Sequence, residues 1–297
     1  MTQPARPCGR FAPSPTGPLH FGSLVAALGS WMMARHRGGD WRVRIEDLDP
    51  PREVPGASER QLHTLQAFGM TADGPVWRQS GRHPAYADAL RRLLASGDAF
   101  ECRCSRSQLE ATGGIHRACV ANDSSRPAAI RLRLPDTTLE FEDSVQGVFR
   151  QSLAREVGDV VLRRSDGFWA YQLAVVVDDA AQDITDVVRG ADLLDSTPRQ
   201  IHLQRCLGLP TPAYTHLPLV LDADGQKLGK SLQSLPVDDS DPWPALIAAW
   251  RFLGQAPAAL ARSGKPELAL QRALAAFDPA RIPRVHGQPV SRIDTVR

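Results

Sequence analysis

The sequence predicts an α/β fold in which a doubly wound parallel sheet is interrupted by an inserted subdomain and followed by a helical tail. Strand-like and helix-like segments alternate along the first third of the chain, which is typical of parallel strands joined by helices. The stretch from Cys102 to Phe149 differs, with short β-like runs and a cysteine cluster. The 297 residues, 42% of them hydrophobic, are enough to bury a core of more than one small domain.

The opening segment reads as strand, loop and helix. Gly9 to Ala12 is the candidate strand, Pro13 to Pro18 the loop, and Ser23 to Arg35 an apolar helix that we expect Ser23 to cap. The later segments are a strand at Trp41 to Ile45, helices at Ser58 to Phe68, His83 to Ser96 and Ser107 to Ala111, an apolar run at Phe168 to Val177, a helix at Thr197 to Leu207 and a helical tail from Trp243 to Phe277. We therefore divide the chain into a first sheet half (1–98), an insertion (99–165), a second sheet half (166–240) and a tail (241–297).

Composition excludes some classes of protein. No stretch has the run of about eighteen apolar residues that a transmembrane helix needs. The polar segment Met1 to Gly9 lacks the apolar region of a secretory signal. We therefore expect a cytoplasmic monomer without membrane contact. The net charge of +2 is too small to identify a nucleic-acid binder.

Two short segments are suited to phosphate. Pro18-Leu19-His20-Phe21-Gly22 lies at the predicted strand-to-helix junction, where backbone N–H groups and the helix dipole favour an anion. Lysine is rare, with 32 of the 35 basic residues being arginine, yet Lys227 and Lys230 share one short loop. A flexible ammonium suits a mobile charge that meets phosphate. Taken singly, a solvated loop histidine is the favoured interpretation of the first segment, and an exposed charged turn explains the second equally well.

Together these segments resemble the class I glutamyl-tRNA synthetases. The string from Arg10 to Gly22 is similar to the opening of that family, with Pro18 to Gly22 as its HIGH-type motif, and Lys227 to Ser231 resembles its KMSKS loop. Phe21 stands where the family usually has an aliphatic residue. The resemblance implies a Rossmann-type domain that adenylates glutamate with ATP and Mg²⁺. It implies that the catalytic residues are His20, Lys227 and Lys230, and that ATP is bound by His20, Gly22 and Lys230.

The resemblance also implies an amino-acid site. Its glutamate-binding residues would be Arg10, Phe11, Ala12, Pro13, Ser14, Glu46, Tyr171 and Arg189. Glu46 would face the α-amino group, although without the resemblance a solvated carboxylate at a strand end would be favoured. Two guanidinium groups, Arg10 and Arg189, match the two carboxylates of glutamate, whereas glutamine has only one. Which arginine meets which carboxylate stays open.

The cysteines indicate a metal site. Five cysteines, three of them in one short window, disfavour a disulfide framework. Cys102, Cys104, His116 and Cys119 form two close pairs that suit one tetrahedral structural zinc, and Gly113-Gly114 would let the second pair fold back. Similar proteins commonly carry tyrosine in place of His116, at a slightly wider spacing. Three unlinked buried thiols are the alternative.

The short segment after the Lys227 to Ser231 loop indicates which RNA group receives the glutamate. After the Lys227 to Ser231 loop only residues 232–297 remain, where a full glutamyl-tRNA synthetase carries a large helical anticodon-binding region. The chain therefore resembles a shortened branch of the family. This implies adenylation without tRNA and transfer of glutamate to the queuosine base in the anticodon loop of tRNA(Asp). The alternatives are a truncated glutamyl-tRNA synthetase acting on tRNA(Glu) and a non-catalytic, zinc-containing RNA-binding paralogue.

Arg131 to Arg133 and Arg163-Arg164 are candidate phosphate contacts or ordinary solvated strand faces.

Overall fold

The computed structural model describes residues 6–110, 113–121, 125–222, 225 and 236–289. The α-helices within these ranges are α1 (Phe21–His36), α2 (Ala57–Ala67), α3 (His83–Ser96), α4 (Arg106–Glu110), α5 (Tyr171–Ala181), α6 (Thr197–Leu207), α7 (Trp243–Phe252) and α8 (Pro266–Ala273). The strands are β1 (Cys8–Phe11), β2 (Asp40–Ile45), β3 (Trp77–Arg78), β4 (Ala99–Cys102), β5 (Ala129–Leu132), β6 (Thr138–Asp143), β7 (Gly147–Ser152), β8 (Val160–Arg163), β9 (Asp186–Gly190), β10 (Ala213–Leu217), β11 (Leu219–Leu221) and β12 (Gly287–Pro289). The predicted α/β class is confirmed.

The main sheet is doubly wound. Among the described residues it has seven strands, in the order β3-β2-β1-β9-β10-β6-β7. All neighbours in it are parallel except β6 and β7, which form an antiparallel hairpin. The chain runs outward from β1 to β2 and β3, then returns on the other side of β1 with β9 and β10. The order therefore reverses between β1 and β9, the point at which such sheets bind ligands beyond the carboxyl ends of their strands.

Helices cover both faces of this sheet. Adjacent strand residues point to opposite faces, and Val187 and Val188 of β9 belong to two different hydrophobic clusters. The cluster around Val188 includes residues of α1, α7 and α8, and the cluster around Val187 includes residues of α3, α5 and α6. The helical tail thus packs on the core, with Trp250 of α7 and Leu270 of α8 fully buried there. No helix in the described ranges has the length and apolarity needed to cross a membrane.

The middle of the chain builds a separate small sheet. Strands β4, β5 and β8 form three antiparallel strands within the described residues. The β6–β7 hairpin, which lies in the same stretch of sequence, instead extends the main sheet, where Asp143 pairs with Tyr214 of β10. This hairpin therefore connects the insertion to the sheet domain. The division into four domains stays a prediction.

Candidate active site and cysteine–histidine cluster

A cavity of about 850 Å³ opens where the strand order reverses. Phe11, Gly190 and Leu217, at the ends of β1, β9 and β10, line one side of it. The loop after β1 and the first turns of α1 line the other side. Six residues predicted to bind glutamate or ATP lie in this lining: Phe11, Ala12, Pro13, Ser14, His20 and Gly22. The structure thus brings the predicted amino-acid loop and the HIGH-type segment to one opening.

His20 caps the first helix. Its Nδ1 accepts the backbone N–H of Ser23 at 3.3 Å, and the helix begins at Phe21. The expectation that Ser23 caps this helix was wrong, because the imidazole of His20 takes the N–H that a cap must satisfy. With Nδ1 as acceptor, a neutral imidazole carries its proton on Nε2, which is the donor form that a phosphate requires. A Cβ on Gly22 would lie 3.1 Å from Cε1 of His20, so this glycine makes room for the imidazole.

Gln61 of α2 supports the loop after β1. This buried amide donates to the backbone oxygens of Ser14 at 3.0 Å and Gly17 at 2.7 Å. The backbone N–H of Glu46 donates to Pro13 O at 2.9 Å, which ties the same loop to the end of β2. Sequence reasoning missed Gln61, since a polar residue in an amphipathic helix gives no sign of the loop that it supports.

A buried network of four charges lies beside the cavity. Nε of Arg10 and Nη1 of Arg44 lie 3.2 Å and 2.8 Å from Oδ1 of Asp179. Nη2 of Arg44 lies 3.2 Å from Oε1 of Glu46. Two guanidinium groups and two carboxylates therefore alternate along one chain of contacts, which is how buried charges are stabilised.

The two carboxylates of this network differ in their ionisation. Burial opposes the ionisation of both. For Asp179 the charges of Arg10 and Arg44 outweigh burial and lower its pKa. For Glu46 burial prevails over Arg44 and Arg10, and the nearby charge of Asp179 adds to it, so its pKa is raised.

Glu46 also lines a smaller cavity of about 150 Å³ together with Ser14. A cation entering there would favour the ionised carboxylate.

Arg189 and Tyr171 form the other half of the predicted amino-acid site. Nη1 of the buried Arg189 donates to the hydroxyl of Tyr171 at 3.2 Å. Burial raises the pKa of Tyr171, and the charges of Arg189, Glu46 and Arg10 all act on its hydroxyl. The four charged or polar residues predicted around glutamate therefore converge on one region. None of the four is among the residues that line the larger cavity, although Arg10 and Arg189 are next in sequence to Phe11 and Gly190, which do line it.

Several residues of this region were absent from the sequence-based set. Asp178 and Asp179 follow five apolar residues of α5, and both are buried. Asp178 accepts hydrogen bonds from Gln79 at 3.0 Å, Arg82 at 3.0 Å and Tyr86 at 2.5 Å, while Asp179 serves the charge network. Adjacent acids at the end of an apolar helix are the signal that could have found them, because buried carboxylates require partners.

The predicted metal ligands lie together in the insertion. The ligand atoms of Cys102, Cys104, His116 and Cys119 are all within 4.8 Å of one another. Sγ of Cys102 lies 3.2 Å from Nε2 of His116, and Sγ of Cys119 lies 3.7 Å from it. Gly113 and Gly114 have φ of +67° and +82°, values that favour glycine, and they lead the chain into the second ligand pair. Three sulfurs and one imidazole form a donor set compatible with zinc.

His116, the predicted histidine ligand, is itself held in place. Its Nδ1 lies 2.8 Å from Oδ2 of Asp159, which turns Nε2 toward the cysteines. A carboxylate on the second ring nitrogen is the usual support of a metal-binding histidine. Gly158 passes directly behind it, and a Cβ there would lie 2.4 Å from His116 O. The cluster thus has an ordered support on the neighbouring turn.

The second half of the predicted nucleotide site, Lys227 to Ser231, lies outside the described residues, so the positions of Lys227 and Lys230 are not given by the structure.

The family model described as tRNA synthetases class I (E and Q), catalytic domain, matches residues 8–125 and 116–260. The chain thus has the fold of a class I tRNA synthetase catalytic domain. A glutamyl-Q tRNA(Asp) synthetase of Xanthomonas campestris pv. campestris is 65% identical over 96% of this chain and 97% of its own length. Its counterpart from Pseudomonas aeruginosa is 54% identical over 96% of this chain and 98% of its own length.

Among solved structures, a glutamate tRNA ligase from Elizabethkingia meningosepticum, in complex with its amino acid, superposes with a TM-score of 0.81. It is 26% identical, and the match covers 97% of this chain and 67% of that one. The chain belongs to the glutamyl-Q tRNA(Asp) synthetase family and is a ligase.

Proposed function

We propose that this ligase activates L-glutamate with ATP in the absence of tRNA and transfers the glutamyl group to the queuosine base of tRNA(Asp). The observation that carries the proposal is the convergence of Glu46, Arg10, Tyr171 and Arg189 beside a cavity that His20 lines. The names of the relatives support the acceptor, since they are glutamyl-Q tRNA(Asp) synthetases.

The amino acid is recognised by charge. Arg189 and Arg10 would meet the two carboxylates of glutamate, and Glu46 would meet its α-ammonium group. Arg10 is already paired with Asp179 at 3.2 Å, whereas the described hydrogen-bond partners of Arg189 are all uncharged. The uncompensated charge of Arg189 therefore provides the larger share of the attraction. Glutamine, which lacks the second carboxylate, would be bound more weakly.

Adenylation needs alignment rather than a general base, because a carboxylate is already ionised at neutral pH. One oxygen of the α-carboxylate attacks the α-phosphorus of ATP, the bond to the bridging oxygen breaks, and pyrophosphate leaves. His20, with Nδ1 committed to the helix cap, would hold the nucleotide through its other ring nitrogen. Lys230, with Lys227, would meet the departing pyrophosphate as its charge develops. In the second step a hydroxyl of queuosine attacks the acyl carbon and AMP leaves, which gives an ester.

The ligase would use two kinds of metal ion. Cys102, Cys104, His116 and Cys119 would hold one zinc, whose role is structural because the protein fills all four positions. Mg²⁺ would accompany the triphosphate and neutralise part of its charge.

Glutamate-dependent ATP–pyrophosphate exchange without RNA tests the first step. We expect exchange with L-glutamate and little with L-glutamine. Absence of exchange would contradict the proposal and favour a non-catalytic RNA-binding paralogue.

The acceptor is tested with purified tRNA(Asp) that contains or lacks queuosine, alongside tRNA(Glu). We expect transfer only to the queuosine-containing RNA, with mass spectrometry locating the glutamyl group on the modified nucleoside. Charging of tRNA(Glu), or transfer that ignores queuosine, would favour the truncated glutamyl-tRNA synthetase instead.

A further inference from the structure

A buried pair of side chains lies behind Arg189 and connects it to the β6–β7 hairpin. Nε of Arg189 donates to Nε2 of His216 at 3.0 Å. Nδ1 of His216 lies 2.6 Å from Oδ2 of Asp143 at the end of β6. His216 is fully buried, and the Asp143 side chain is fully buried as well. Sequence reasoning assigned a role to neither residue.

The surroundings of Asp143 fix its ionisation. Its Oδ1 accepts three backbone N–H groups, from Val145 at 3.0 Å, Gln146 at 2.8 Å and His216 at 3.1 Å. Burial opposes its ionisation, but the hydrogen bonds from His216 and the backbone outweigh burial and lower its pKa. An ionised carboxylate can only accept, so Nδ1 of His216 must carry the proton. Nε2 of a neutral His216 is then a hydrogen-bond acceptor, as the N–H of Arg189 requires.

The other contacts of Arg189 complete its orientation. Its Nη2 donates to Thr197 Oγ1 at 2.8 Å and to Leu193 O at 3.2 Å, and its Nη1 donates to Tyr171. These bonds engage four of the five N–H donors of a guanidinium, and the fifth is on Nη1, the edge next to Tyr171. The guanidinium is therefore fixed with this edge toward the predicted amino-acid site.

The partners of Arg189 also leave its positive charge without a carboxylate partner among the described residues. No carboxylate of the described residues forms an ion pair with it, whereas Arg10 and Arg44 are both paired with Asp179. The nearest acid along the hydrogen-bonded chain, Asp143, is separated from Arg189 by the imidazole of His216. A carboxylate in direct contact would compete with an anionic substrate for the same guanidinium, while a neutral imidazole orients it without competing.

We propose that Asp143 and His216 are positioning residues that hold Arg189 oriented and uncompensated, so that it binds a carboxylate of the substrate. Asp143 selects the tautomer of His216, and His216 presents a neutral acceptor to Arg189. The inference rests on the proposed function, because it concerns glutamate binding by that arginine. It predicts that substitutions at either position act on the affinity for glutamate and spare that for ATP.

Two substitutions at His216 separate its two hydrogen bonds. In His216→Gln the amide oxygen can occupy the place of Nε2 and accept from Arg189. In His216→Asn the amide reaches only the place of Nδ1, so the bond to Asp143 remains and the acceptor for Arg189 is lost. A hydrogen bond to a charged group makes a difference of about 10- to 100-fold in affinity. We expect His216→Asn to raise the KM for glutamate by this factor in pyrophosphate exchange, and His216→Gln to stay within about threefold of wild type.

Asp143→Asn tests the tautomer. The amide oxygen can still accept the backbone N–H groups, but its NH₂ would donate to Nδ1 and move the imidazole proton to Nε2. That N–H would face the N–H of Arg189, and we expect the KM for glutamate to rise about as much as in His216→Asn. The KM for ATP should not change in any of these variants. Melting temperature and ATP binding identify any variant that has failed to fold. In that case the other two variants test the positioning role.

The outcomes distinguish this inference from the proposed function. Arg189→Gln is the reference, and we expect it to lose glutamate binding. If it does, while folded His216→Asn and Asp143→Asn keep the wild-type KM for glutamate, the positioning role is overturned and the proposed function stands. Equal losses in His216→Asn and His216→Gln would likewise overturn it, because the acceptor would not matter. Unchanged glutamate binding in Arg189→Gln would instead contradict the proposed role of that arginine.

Discussion

The cysteine–histidine cluster and the proposed amino-acid site are built in opposite ways. All four ligands of the cluster lie between Cys102 and Cys119, and their ligand atoms meet within 4.8 Å. The amino-acid site draws on strands and helices from both sheet halves, and Arg10 meets Asp179 across 169 residues of sequence. The cluster offers four donors to one proposed ion, whereas the proposed amino-acid site is stabilised by a chain of alternating buried charges.

This difference predicts which substitutions weaken each part. Loss of the proposed zinc should affect the small sheet of the insertion and leave the charge network of the main sheet in place. Loss of one network charge should affect both the stability of the main sheet and the binding of glutamate, because Arg10 and Glu46 belong to the network and are also proposed to bind glutamate.

Removal of the proposed zinc is expected to have the largest effect. Structural zinc contributes on the order of 10 kcal/mol to small zinc-dependent folds. In Cys102→Ser, zinc content by elemental analysis should fall from one per chain, and hydrogen exchange should accelerate in the sheet of β4, β5 and β8. Glutamate-dependent exchange should survive at a measurable rate. Cys206→Ser is the control, since that thiol lies outside the cluster and should leave zinc content unchanged. Loss of adenylation in proportion to zinc would contradict the separation.

Asp179→Asn should have the next largest effect. It leaves the buried guanidinium groups of Arg10 and Arg44 with one carboxylate fewer, and breaking a buried ion pair costs about 3–5 kcal/mol. We expect a loss of this order in the free energy of unfolding in denaturant, with a higher KM for glutamate.

Asp178→Asn is the matched control on the same helix. Its partners are Gln79, Arg82 and Tyr86, so it should lose stability and keep the KM for glutamate. The same change of KM in both variants would show that the network does not act on the site.

The same contrast explains what the sequence could predict. The bounds of α3 and α6 were predicted correctly at His83–Ser96 and Thr197–Leu207, because both helices have proline in the first turn and glycine after the last. The cluster was predicted because its ligands are close in sequence. Asp179, Arg44 and His216 were missed because their partners are brought together only by the sheet topology. Even at His20, where the motif was found, its role as a helix cap required the geometry of the turn.

Lys230→Ala should slow adenylation without weakening the binding of glutamate. Removing one donor to a developing charge costs about 10²- to 10³-fold in turnover. We expect a loss of this size in the kcat of pyrophosphate exchange, with the KM for glutamate nearly unchanged, since the network proposed to bind the amino acid is left intact. Lys265→Ala is the control, because Lys265 is an exposed residue preceding α8. Equal losses in kcat and in glutamate affinity would rule out a transition-state role for Lys230.

The smallest expected effect is a pH dependence of stability that arises from the support of Arg189. Burial lowers the pKa of His216, although its hydrogen bond to Asp143 opposes the shift. The unfolded chain therefore takes up this proton first, near pH 6.5, so stability is complete above about pH 6.5 and declines as the pH falls toward the folded pKa. The slope is at most about 1.4 kcal/mol per pH unit for one group.

Burial lowers the pKa of His202 as well, and its contribution has the same sign. His216→Asn should therefore reduce, but not abolish, the decline in the free energy of unfolding between pH 7 and pH 5.5, measured by denaturation with urea. His202→Gln should reduce the decline further and leave the KM for glutamate unchanged, because His202 contacts Arg133 O rather than the residues proposed to bind glutamate. If His216→Asn keeps the full wild-type slope, the imidazole behind Arg189 is not held neutral by its burial.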